Sequence, residues 1–142
     1  MGLKTYDPSE VALIFAGFPI SGFADGTFVS VDQNEDSFNL VVGTDGEGAR
    51  AKSNNRSATI TFTLLQTSAS NAFLAAQHNI DIRSPNGDGI GSLLVQDNSG
   101  LSLYSADKSW VRKPPVAEFG REVGSREWTI ETHELTNITA GN

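Results

Sequence analysis

The sequence predicts a mainly β domain, an antiparallel β-sandwich or barrel with one flanking α-helix. Three observations predict it. Apolar residues recur at period two over most of the chain. Helical spacing occurs in one segment, after residue 66. Strand and helix patterns do not alternate in the way that parallel crossovers require. About seven strands are expected in a single domain spanning residues 1–142, a length that buries a sizeable core without covalent staples. There is no cysteine, which excludes a disulfide framework, thiolate metal sites and a cysteine nucleophile.

The first strand falls at residues 11–16, apolar on both faces and so expected to be covered on both sides. Asp25-Gly26 is a hairpin signal ahead of a second strand at 27–31. Phe38, Leu40 and Val42 share one face of the next. Residues 43–48, rich in glycine, form a turn, and the polar stretch 49–57 follows it. The clearest strand is 58–66, with Ala58, Ile60, Phe62 and Leu64 on one face and Thr59, Thr61 and Thr63 on the other. Thr67-Ser68 offers a hydroxyl cap to a helix whose apolar stripe is Ala69, Ala72, Phe73 and Ala76, with Ile80 beyond. Strands at 92–96 and 101–106 come next, then an irregular loop over 107–124 containing Pro114-Pro115. The last strand, 126–135, sets Trp128, Ile130 and Thr132 against Glu127, Thr129, Glu131 and His133.

Composition and motifs exclude more than they assign. Formal net charge is −7 with a pI near 4.6, the wrong sign for binding nucleic acid by counterion release. The first ten residues carry acids and a proline where a signal peptide needs a basic and then an apolar stretch. The longest apolar run, 11–20, is broken by Gly17 and Pro19 and is half the roughly 20 residues of a membrane span. His78 and His133 lack partners at metal-motif spacing, and Asn86-Gly87-Asp88-Gly89 lacks the closing glutamate of a calcium loop. No nucleophile elbow, phosphate loop or dinucleotide fingerprint occurs. The expected cofactor and metal complement is therefore none, and no residue stands out as catalytic. Acidic pairs such as Glu35/Asp36, Asp45/Glu47 and Glu127/Glu131 read as solvated faces.

One charge asymmetry stands out, which would mean little in a monomer but bears on any self-assembly. Asp25, Asp32, Glu35, Asp36, Asp45 and Glu47 occupy 25–47 with no base among them. Lys108, Arg112, Lys113, Arg121 and Arg126 outnumber Glu118 and Glu122 in 108–126. Opposite signs on one chain suit a heterologous, head-to-tail contact. Trp110 lies among the bases and is a candidate partner-facing residue, whereas Trp128 keeps the apolar register of its strand.

Tyr6-Asp7-Pro8, Gly22-Phe23-Ala24-Asp25-Gly26-Thr27-Phe28-Val29, Gly43-Thr44-Asp45-Gly46-Glu47 and the run from Ser57 through Ser68 resemble the inner tail tube proteins of contractile-tailed bacteriophages. The resemblance implies a β-sandwich whose copies close into rings of six, joining their sheets into one inner barrel. Stacked rings would form a tube inside the contractile tail sheath, an acidic conduit for DNA ejection, with tape measure and baseplate or terminator proteins as further partners and DNA passing through without specific binding. The location implied is the virion tail, assembled in the host cytoplasm. On this reading residues 43–57 form an assembly loop or hairpin. Asp45, Glu47, Arg50, Lys52, Arg56, Trp110, Arg112 and Lys113 are candidate assembly contacts, and Glu127, Glu131 and His133 candidate lumen residues. The rival readings are a monomeric sandwich that binds carbohydrate through Trp110, a hydrolase using an acidic pair, and the tube of a related secretion system.

Overall fold

The alternation at residues 58–64 decides where the core lies. Ala58, Ile60, Phe62 and Leu64 are at most 1% exposed, while Thr59, Thr61 and Thr63 are half-buried on the opposite face. In the computed structural model, which describes residues 2–141, a short 3₁₀ turn (Pro8–Glu10) leads into β1 (Val11–Phe15) and β2 (Phe18–Pro19). Then follow β3 (Val29–Gln33), β4 (Phe38–Val42), β5 (Gly48–Lys52), β6 (Ala58–Leu65), α1 (Ser70–Arg83), β7 (Gly91–Asp97), β8 (Leu103–Lys113), β9 (Ser125–Thr132) and β10 (Thr136–Ile138). Met1, where the predicted domain opens, and Asn142, where it closes, lie outside the described residues.

The main sheet is antiparallel, ordered β2-β1-β7-β8-β9-β6-β3, with β10 pairing β8; β4 and β5 pair with each other. Residues of β3, at one end of this order, share a groove with residues of β1 and β7 near the other end, so the sheet curls toward a barrel with an open seam. Leu13, Phe15, Leu93, Val95, Val111, Trp128 and Ile130 join the inward row of β6 in the core. The predicted β class, antiparallel pairing and single helix are all present; in β1 Leu13 and Phe15 are buried, whereas Ala12 and Ile14 on the opposite face are only half-buried.

The helix is held by polar anchors. Asn71 Oδ1 accepts from Trp128 Nε1 at 2.9 Å, and its amide donates to the carbonyls of Leu65 and Ser68 at 3.0 and 3.1 Å. Ser68 Oγ accepts from the Ser70 N–H at 3.2 Å, and buried Ser70 Oγ accepts from the Ser21 N–H at 3.0 Å. These bonds, with Phe73 stacked on Phe18 at 4.3 Å, turn Ser70, Phe73 and Leu74 inward. The expected stripe is corrected: Phe73 packs, but Ala69, Ala72, Ala76 and Ile80 are exposed. Alanine has too little surface for its burial to set a helix's rotation against such anchors.

Three further expectations change. Asp25-Gly26 makes a local turn in which Asp25 caps the Gly26 N–H, without pairing β2 to β3. The irregular loop begins at Pro114, not Asp107, because β8 runs on to Lys113 through two register shifts. There a fully buried Ser109 occupies a core position, so the apolar alternation that would have marked the strand is lost. Residues 49–52, expected in a polar stretch, form β5 with Gly48 against β4.

Candidate assembly surfaces

Three surfaces carry the residues singled out from the sequence. The first is the β4–β5 hairpin, in which every strand residue is exposed. The register sets Phe38 opposite Lys52, Leu40 opposite Arg50 and Val42 opposite Gly48 on one face. Asn39, Val41, Ala49 and Ala51 form the other. The Arg50 guanidinium lies 4.2 Å over the Phe38 ring. At the tip, Gly46 adopts φ +89°, Gly43 N–H donates to Glu47 O at 2.8 Å, and Asp45 Oδ1 accepts from the Glu47 N–H at 3.2 Å. Asp45, Glu47, Arg50 and Lys52 thus sit on one projection that combines apolar and cationic side chains with an acidic tip.

The second surface is the outer face of the main sheet. Cross-strand pairing builds a row from Asp32 through Thr59 and Glu131 to Trp110, and beside it a row from Ser30 through Thr61 and Thr129 to Lys113. Thr63 stands opposite Glu127 at the far end. Arg112 Nε lies 3.6 Å from Glu131. The face is hydroxyl-rich and close to charge balance, with Asp32, Glu127 and Glu131 against Arg112 and Lys113. Trp110, Arg112 and Lys113 therefore lie with the lumen candidates Glu127 and Glu131, apart from the hairpin. His133 does not share their strand. It sits past the end of β9, where its N–H donates to Lys108 O at 3.1 Å, beside a separate hollow lined by Asp107, Lys108 and Glu134. Arg56 is likewise apart from the hairpin cations, 3.4 Å from Glu134 with both side chains largely exposed.

The third surface is strand-edge backbone. Phe28 O accepts from Thr63 N–H and Asn34 N–H donates to Ser57 O, so alternate residues of β3 face β6. Val29, Val31 and Gln33 then turn their N–H and C=O groups toward the free edge. Such an edge is a template for another strand. The threonine row of β6 was visible in the sequence but carried no signal beyond strand propensity, and its place in an extended polar face depends on pairing with β9 and β3. The exposed apolar loop residues Val116, Phe119 and Val123 were not singled out at all.

Among the described residues no three His, Cys, Asp or Glu side chains come together as a metal site, and no helix is long and apolar enough to cross a membrane.

Comparison with known proteins gives the family and the fold. The chain is 32% identical over 145 residues to structural protein ORF10 of Pseudomonas phage KPP10, covering 98% of this chain and 84% of that protein. Its fold is shared with solved tube components at low sequence identity. The tube-terminating cap of the anti-feeding prophage superposes with a TM-score of 0.62 at 9% identity, covering 99% of this chain and 95% of the cap. A chain of the sheath–tube complex of the extracellular contractile injection system PVC, in its extended state, gives 0.60 at 11% identity, covering 96% and 93%. Residues 18–140 match the family of the bacteriophage PhiTE tail tube protein. The chain belongs to that family and is a structural protein of the phage tail tube.

Proposed function

We propose that copies of this chain close into rings of six that stack into the inner tail tube, and that the hairpin and the free edge of β3 join neighbouring copies. The observation that carries this reading is the hairpin itself. Phe38, Leu40, Val41 and Val42 lie together on an element without a core, and an isolated two-stranded hairpin is marginal in water. A second copy supplies both the missing apolar cover and the missing strand partner. Full closure also removes sheet edges that would otherwise pair indiscriminately.

Within the tube, the face bearing Thr59, Thr61, Thr63, Glu127, Thr129 and Glu131 lines the lumen, with Trp110, Arg112 and Lys113 at its rim. A surface of hydroxyls and nearly balanced charge offers phosphate no fixed cationic track, so DNA passes without adhering. Asp45 and Glu47 at the hairpin tip meet cationic residues of a neighbouring ring. A sheath surrounds the tube, a terminator caps it, and tape measure and baseplate proteins complete the tail. The subunits are made and assembled in the host cytoplasm, and the protein's work is architectural, without catalysis. The sequence relationship to a phage structural protein favours a phage tail over a secretion-system tube.

Tube growth followed by light scattering and negative-stain microscopy tests the tip contact. The D45N/E47Q variant keeps the turn acceptor at position 45 and is expected to fold normally yet elongate poorly. Elongation of the variant at the wild-type rate would overturn the role of the tip.

A further inference from the structure

A groove of about 430 Å³ opens along the seam of the curled sheet. Its lining includes Val11 of β1, Val29 and Val31 of β3, Val95 and Asp97 of β7, and Tyr104 of β8. Its charge is of one sign. Asp97 is the charged residue of its lining. No lysine or arginine lines it. The same stretch of β3 turns the N–H and C=O groups of Val29 and Val31 outward.

The hairpin is the chemical complement of this groove. One face carries Phe38, Leu40 and Val42 with Arg50 and Lys52 and no acid, and its strands have open edges of their own. In its own chain those three apolar residues stay 48–68% exposed, so the hairpin is not seated intramolecularly. We infer that the hairpin of a second copy seats in this groove. One of its strands pairs with the free edge of β3, the apolar side chains cover the valines, and the cationic Arg50 and Lys52 face Asp97. The contact is heterologous, groove to hairpin, so each copy uses both halves and the chain of contacts closes or propagates. It rests on the tube reading and says which surfaces meet.

The absence of cysteine makes the test direct. V29C and L40C chains are prepared separately, mixed under assembly conditions and treated with a short bismaleimide. Crosslinked dimer is expected in the mixture about ten-fold above either chain alone, and adding R50E/K52E to the L40C chain should reduce it about ten-fold. An I82C chain, substituted on the exposed helix surface, controls for random collision. Tubes that form without the mixed crosslink would overturn the groove contact and leave the tube reading intact. A V29C/L40C chain that crosslinks within itself at high dilution would also overturn it. Mixed crosslinking without tubes would support the contact while contradicting the tube, and the absence of both would sink the two together.

Discussion

Asn71 shows how much of the fold turns on single polar side chains. It accepts the indole N–H of buried Trp128 and donates to carbonyls at the end of β6, welding the helix start to two strands. Asn71→Ala leaves the indole donor and those carbonyls without their partner, and urea unfolding should show a loss of about 1–3 kcal/mol. Gly22 is constrained for a different reason. Its φ is +78°, and a Cβ there would stand 2.6 Å from Ser68 Oγ, so Gly22→Ala strains both the backbone and the Ser68 anchor. Asp7 tests local electrostatics. The hydroxyl of Ser9, and then its N–H, hold the Asp7 carboxyl below the ordinary aspartate value. A depressed folded-state pKa means the turn contributes fully above the unfolded value and loses that contribution as pH falls through the folded one. Carboxyl titration by NMR should place Asp7 below an unstructured aspartate, and Ser9→Ala should move it back up.

The hairpin is the element whose removal separates assembly from folding. Ser53 N–H donates to Ser37 O at 2.9 Å, so its roots already touch and a short glycine bridge can replace residues 38–52. The excised strands contain no buried residue. The shortened chain should unfold within about 0.5 kcal/mol of the parent, as surface changes do, yet form no tubes; loss of the fold would show that the hairpin supports the core. Elements were legible in proportion to the alternation of their residues. The run 58–64 announces both faces of β6, and Trp128, Ile130 and Thr132 announce the inward row of β9. Gly48, Arg50 and Lys52 hide β5, because a strand exposed at every residue has no inward apolar row to show. Ser109 hides the middle of β8 by putting a hydroxyl in the core. The helix was visible but its rotation was not, since that follows from hydrogen bonds of Ser70 and Asn71 to distant segments. The site was legible as a list of charges, while the grouping of Trp110, Arg112 and Lys113 with Glu131 needed the register of β8 against β9.

For the whole molecule, the account makes one copy an unfinished object. A net charge of −7 makes free subunits repel one another at long range, and the proposed contacts through the groove, the free edge of β3 and the hairpin would have to overcome that repulsion once copies meet. Raising ionic strength screens the long-range term first, so assembly monitored by light scattering should speed up with moderate salt; a steady slowing from the lowest salt upward would mean that attraction between charges dominates even at long range. The most direct measurement is cryo-electron microscopy of the concentrated wild-type chain. The account predicts hollow tubes of six-fold symmetry, with the threonines of β6 and Glu127 and Glu131 facing the channel. A population that remains 15.1 kDa monomers at every concentration, or tubes whose channel is lined by the helix, would contradict it.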